Sequence, residues 1–349
     1  MNAIFKKSKL LAVSVTYAVA MLAGGFAAAE DIIVGGKNVV EYLPLLEKAK
    51  QRILPRDPET GLFVGEVKPN LFVVNDGVYL SAFLKTGDGI IVFDAPDSYG
   101  SRLPQIIKKH VPDEDIKYLV YSHSHKDHIG GSNGFKNIEN LQIVAQIRIA
   151  ETLKHREGDL EILLPTQTFQ ADFTLPLGGE IVEMKDLGNF HSSDADTFIY
   201  FPHQKFLYVI DSIEPAAVPF RNFGMTENIG GYLTVFDKML SYDFDMFTAG
   251  HLDSLGTRKD VEDTKAYVHD VKLEAQAALD ETPVGPLIGR VFEATGDTDN
   301  TFLAFNYFLE TAAKKCSVKL VKNWSSKLVA VDIWAESHCA IMQNYLRTH

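Results

Sequence analysis

Cysteine and positive charge are both scarce in this chain. The two cysteines in 349 residues, Cys316 and Cys339, lie near the C-terminus and far from the histidine cluster, which argues against a cysteine metal site or nucleophile. In an exported protein an even count points instead to a disulfide. Lys and Arg number 34 against 46 Asp and Glu, a net charge of −12. A field of that sign repels nucleic acid and anionic lipid, so neither is an expected partner. Internal repeats, low-complexity tracts and long linkers are lacking, and 46% hydrophobic content argues against disorder and for a full core.

The N-terminus reads as a targeting segment. Lys6, Lys7 and Lys9 precede an apolar run over residues 10–26 that is broken by Gly24 and Gly25 and ends in Ala27-Ala28-Ala29. That is the pattern of a cleaved signal peptide over 1–29 rather than a retained membrane anchor, and it predicts a periplasmic or secreted protein. Cleavage removes three lysines and no acid, so the charge moves from −12 to −15.

Residues 30–70 read as an N-terminal extension, with an amphipathic stretch over 42–53 and a Pro- and charge-rich loop over 54–61. From Leu71 the pattern becomes short apolar or β-branched runs bounded by turn residues. Strands are predicted at 71–74, 79–85, 90–93, 118–121, 141–145, 180–185, 197–201, 205–210 and 246–248. Helices are predicted at 101–110, after Gly131, at 149–155, and from Thr257, whose hydroxyl caps it, to 281. Strands alternating with helices make an α/β layered domain over 71–282.

The remainder, 283–349, is a helical element. Phe302, Phe305, Leu309, Ala312, Cys316 and Leu320 form one stripe, and Leu328, Val331, Ala335, Cys339, Met342 and Leu346 form another. A hairpin turning near 324–327 sets Cys316 and Cys339 at similar heights on facing stripes, where a disulfide fits.

The chemistry concentrates in Ser122-His123-Ser124-His125-Lys126-Asp127-His128, at a strand-to-helix loop. Three imidazoles and a carboxylate this close would be costly to desolvate unpaired, whereas a divalent cation satisfies all four. Neighbours such as Asp127 and His128 diverge from His123 and His125, so one ion cannot take every side chain. Two ions about 3.5 to 4 Å apart resolve this.

His123, His125, Asp127 and His128 match the H-x-H-x-D-H signature, and here the chain resembles the metallo-β-lactamase superfamily over roughly residues 70 to 255. The resemblance implies an αββα four-layer sandwich and adds His191, Asp211 and His251 to the site. It assigns His123, His125 and His191 to the first ion, Asp127, His128 and His251 to the second, and Asp211 as the bridge. It also implies that Asp94 holds the metal loop in place. After His191 the sequence departs from the family's usual turn with Ser192-Ser193-Asp194-Ala195-Asp196, where Asp194 or Asp196 either crowds the site or forms a turn. His110, His155, His203, His269, His338 and His349 show no partner pattern and read as surface or half-buried residues.

Two divalent ions flanking a water bring its pKa toward neutrality, so the expected nucleophile is a metal-bridged hydroxide with Asp127 moving the proton. Zinc is the expected metal, with iron and manganese as alternatives. The expected substrate is a small ester or lactone; β-lactam or sulfate-ester hydrolysis and a non-catalytic metal-binding or redox role are the alternatives. Residues 213–225, with Phe220, Arg221 and Phe223, are expected to line the pocket.

Overall fold

The structure, a computed structural model, describes residues 32–156 and 161–349, so the signal peptide expected at 1–29 lies outside the described residues. The chain divides into two units at Leu43 and Pro44. The described part of the first is a two-stranded ribbon, β1 (Ile33–Val34) and β2 (Lys37–Asn38), joined through Gly35-Gly36 and followed by a 3-10 turn over Val39–Glu41.

The second unit is built on two sheets. Strands β3 (Phe63–Lys68), β4 (Leu71–Asn75), β5 (Leu80–Lys85), β6 (Ile90–Phe93), β7 (Ile116–Val120), β8 (Gln142–Gln146) and β9 (Gln167–Phe169) form a seven-stranded sheet in chain order. Its first four strands are antiparallel, and β6 to β9 run parallel. Strands β10 (Asp172–Leu177), β11 (Glu180–Asp186), β12 (Thr197–Phe201), β13 (Phe206–Tyr208) and β14 (Met246–Thr248) form a five-stranded sheet, antiparallel except for the β13–β14 pair.

Strand β6 and residues 71–74 of β4 are apolar throughout because both of their faces are covered. Leu71, Val73, Ile91 and Phe93 meet Val182, Ile199, Phe201 and Phe206 of the other sheet in a core between the two. On the opposite face, Val74 and Val92 pack against Leu103 and Ile107 of the helix Leu103–His110 and against Ile149 and Leu153 of the helix Ile147–His155. The five-stranded sheet turns Phe198 and Leu207 outward onto the helices Ile229–Leu240, Arg258–Asp280, Thr301–Trp324 and Val331–Thr348. Helix, sheet, sheet, helix is the αββα sandwich.

Three sequence expectations change. The boundary placed at residue 70 falls inside a hairpin, because β3 pairs with β4 from Phe63↔Asn75 to Lys68↔Leu71. The helix expected after Gly131 is only a short 3-10 turn, Ser132–Phe135, whose Ser-Asn-Gly run is poor helix-forming sequence. Thr257 caps its helix as expected, in a capping box with Asp260, whose carboxylate accepts the Thr257 N–H (2.8 Å) and both guanidinium nitrogens of Arg52. The C-terminal hairpin is present, with its turn between Trp324 and Val331, but a further helix, Val284–Thr295, precedes it. Its first stripe is not apolar contact throughout, since Phe302 is 88% exposed while Ala312, Cys316 and Leu320 are buried. Cys316 and Cys339 are bridged, with Cα atoms 6.1 Å apart.

Candidate metal centre

Both sheets deliver residues to one edge. Strand β6 leads to Asp94, β7 into the His123 loop, β13 to Asp211 and β14 to His251, and the β11–β12 connection carries His191. The carboxyl ends of parallel strands are where such folds place ligand sites.

The loop after β7 is extended up to His125, then makes a single helical turn over Lys126–Ile129 that places Asp127 and His128 beside the first two histidines. Asp94 fixes the start of this loop. Its carboxylate accepts the Ser122 N–H (2.8 Å), the Ser122 hydroxyl (2.7 Å) and the Tyr208 hydroxyl (2.9 Å). Burial nevertheless pushes the Asp94 carboxyl up to about 6. The Ser122 Oγ lies 3.0 Å from His123 Nδ1, which turns Nε2 of that ring into the site. Asp94 and Asp211 both adopt left-handed backbone, at φ 58° and 56°, a conformation that costs energy outside glycine and clusters at functional sites.

The segment Ser192–Asp196 forms a turn around one carboxylate. Asp196 accepts the N–H groups of Phe190 (2.7 Å), His191 (2.8 Å) and Ser192 (3.1 Å), so it sets the position of His191, and neither Asp194 nor Asp196 belongs to a donor group. His251 follows Gly250 at φ 88°, where a Cβ would lie 2.7 Å from Ile210 and 3.1 Å from the His128 ring. Only glycine lets the two histidines approach there. Arg221 is exposed, at the start of a short helical turn.

All seven expected residues converge. The donor atoms of His123, His125, His191 and Asp211 lie within 4.8 Å of one another, and so do those of Asp127, His128 and His251. Asp211 lies between the two groups. Its Oδ2 is 3.4 Å from His123, 3.0 Å from His191 and 3.2 Å from His128, and its Oδ1 is 3.1 Å from His251, each time at Nε2. His125 presents Nδ1, 3.0 Å from His191 Nε2, and the Nε2 atoms of His128 and His251 are 3.1 Å apart. Asp127 Oδ2 is 3.5 Å from both His128 and His251.

The electrostatics of this cluster fit a cation. Burial drives His123 down to about 3 and also lowers His125. For Asp211 burial favours the neutral acid, but His128, His191 and His251 hold it well below the usual carboxylate range. Burial disfavours a charged His251, yet Asp211 and Asp127 push it up to about 11, and Asp211 raises His191 against the same cost. Burial also works against Asp127, which the His251 hydrogen bond and the His128 charge bring down to about 2. A proton on His251 thus supplies positive charge that a divalent ion would supply better, while the buried His123 Nε2 has no hydrogen-bond partner. Imidazole nitrogens and carboxylates in this ratio suit zinc, iron or manganese.

Two residues escaped the sequence reading. Glu214 is buried, its Oε2 lacks a hydrogen-bond partner, and burial pushes it up to about 8. Its sequence signal was an acid in the apolar run Ile213-Glu214-Pro215, three residues past Asp211. His338, expected at the surface or half-buried, is fully buried, with Nδ1 2.8 Å from the Tyr267 hydroxyl and Nε2 2.9 Å from the Phe220 carbonyl.

Comparison with known proteins bears on the same region. The profile of the Metallo-beta-lactamase superfamily matches residues 74–251. A curated relative, the 2,4-dinitroanisole O-demethylase subunit alpha of Nocardioides sp. (strain JS1661), is 25% identical over 210 residues, which cover 58% of this chain and 61% of the relative. The chain therefore spans less than two thirds of that relative's length. A metallo-beta-lactamase from Pontibacter korlensis superposes with a TM-score of 0.51 at 19% identity, over 59% of this chain and 97% of the other. The metallo-beta-lactamase IND-7 gives 0.50 at 21% identity, over 58% and 95%. At these identities the two structures show a shared fold.

Proposed function

The chain belongs to the metallo-beta-lactamase superfamily, and we propose that it is an exported hydrolase that uses two divalent metal ions, zinc foremost, to cleave a small ester or lactone. The observation that carries this reading is Asp211, one carboxylate within 3.4 Å of imidazoles from both donor groups. His123, His125 and His191 would hold one ion, Asp127, His128 and His251 the other, and Asp211 both. Bound there, the ions would bring the pKa of a water toward neutrality and polarise the scissile carbonyl.

The chain's own groups handle the proton and the geometry. Asp127 is held ionised and its side chain is 39% exposed, so it can take a proton from the attacking water and return it to the departing oxygen. The water oxygen bonds to the acyl carbon, the acyl carbon–oxygen bond breaks, and the leaving oxygen departs protonated. Asp94 and Asp196 keep the His123 and His191 loops in register for this step.

A second reading, removal of a methyl group from an aromatic ether, is favoured by the O-demethylase relative. Turnover of phenyl acetate, a γ-lactone, a chromogenic β-lactam and 4-nitroanisole by purified mature protein separates the two. Hydrolysis of the ester or lactone is the expected result. Turnover of 4-nitroanisole alone would replace it with the ether reading, and turnover of none would overturn both.

A further inference from the structure

Three aromatic rings around the donor groups have no part in the reaction above. Tyr79 lies 5.0 Å from His251 and 5.8 Å from His128, between ring centroids. Phe220 lies 6.4 Å from His251 and 5.2 Å from Trp334, with its plane inclined by 31° and 32° to theirs. Aromatic rings attract one another at separations of this size.

Core packing does not account for Phe220. Its neighbour Phe223 is buried, stacked on His338 at 4.5 Å and on Tyr232 at 5.3 Å, whereas Phe220 is 43% exposed. Yet its backbone is held firmly. The Phe220 carbonyl is 2.9 Å from His338 Nε2, the Asn222 N–H donates to the Ser337 hydroxyl (3.2 Å), and the Gly224 N–H returns to the Phe220 carbonyl (3.0 Å). Asn222, Phe223 and Met225 are kept at positive φ, between 53° and 59°, in the process. A chain fixed at that conformational cost around an exposed ring is organised for a ligand rather than for burial. Tyr79 is equally fixed, since Leu80 N–H donates to the Gly250 carbonyl and Leu252 N–H to the Val78 carbonyl, pairing its strand with the His251 segment.

We propose that Tyr79 and Phe220, with Trp334 packed against Phe220, form an aromatic clamp beside His128 and His251, and that the substrate carries a flat aromatic ring that stacks on the exposed Phe220 face. The proposal rests on the hydrolase reading and narrows it to aryl esters or aryl lactones. It also gives the C-terminal helices a role in specificity. Trp334, Ser337 and His338 all lie on Val331–Thr348, beyond the residues 74–251 that match the family profile.

Tryptophan fluorescence tests the clamp without turnover. The chain has two tryptophans, so Trp324→Phe leaves Trp334 as the reporter. Nitrobenzene should quench it saturably and nitromethane only linearly. Phe220→Leu, which keeps apolar bulk without a π face, should raise the nitrobenzene dissociation constant roughly tenfold, and lower the kcat/KM preference for phenyl over methyl acetate by a similar factor. Should Trp324→Phe fail to fold, the same titration on the unsubstituted protein reads the saturable fraction. Linear quenching by both compounds would overturn the clamp. Saturable nitrobenzene binding without ester turnover would keep the clamp and sink the hydrolase reading. Turnover of both esters with equal preference, unmoved by Phe220→Leu, would overturn the clamp and leave the hydrolase standing.

Discussion

Asp211 is the residue on which the two donor groups depend, since its carboxylate lies within 3.4 Å of four imidazoles. Asp211→Ala and His123→Ala should each weaken metal binding and lower turnover by roughly a hundredfold or more while circular dichroism stays native, because the scaffold forms around other contacts. Asp94 acts at one remove. Asp94→Ala leaves the buried Ser122 N–H without its acceptor, which should cost about 1 to 3 kcal/mol in urea unfolding and about 10- to 100-fold in metal affinity by titration. His338 gives a pH signature. Burial lowers it to about 4 from 6.5, so it is neutral when folded and takes a proton on unfolding at mildly acid pH. Its contribution is therefore present above pH 6.5 and lost as pH falls toward 4, by about 3 kcal/mol across that window. Comparing urea midpoints of wild type and His338→Gln between those pH values isolates it, and parallel curves would refute the assignment. The donors of the His123 loop were legible because they crowd into one stretch of sequence, and His191, Asp211 and His251 through the resemblance to the metallo-β-lactamase superfamily, the last two each after a short apolar strand. Glu214 and His338 were not, because what buries them, such as Tyr267 for His338, is distant in sequence.

Among the elements, strands bounded by turn residues were the easiest to read, and 90–93, 197–201 and 246–248 coincide with β6, β12 and β14. Strand β3 was missed because Phe63-Val64-Gly65-Glu66-Val67-Lys68 carries a glycine and two charges, and its pairing with β4, not its composition, makes it a strand. The helix Ile229–Leu240 went unread because its Gly230-Gly231 start has poor propensity and packing of Tyr232, Val235, Phe236 and Met239 overrides it. The C-terminal hairpin was visible from periodicity and its cysteines. Replacing both Cys316 and Cys339 with alanine removes a crosslink spanning 23 residues and should lower stability by about 3 kcal/mol in the chain-entropy account. Denaturation of the reduced and oxidised protein should show the same difference, and equal midpoints would contradict it. Because Trp334 and His338 lie just before Cys339 on the same helix, loosening that helix should also weaken aryl binding.

At the scale of the whole molecule, the αββα sandwich explains how residues from 94 to 251 meet at one edge, since both sheets end there. No helix among the described residues is long and apolar enough to cross a membrane. The net charge of −12 favours a small substrate over a polyanion. For the proposed export, intact mass of the protein recovered from the periplasm or medium should place its first residue at Glu30. A metal titration followed by turnover reads directly whether Asp211 joins two metal-holding groups into one hydrolytic site. Chelated protein reloaded with zinc should bind about two ions per chain, release protons at neutral pH as His251 gives up its charge, and regain hydrolysis as the second ion enters. Full hydrolysis by the chelated protein, or a single ion bound with unchanged affinity in Asp211→Ala, would contradict the account.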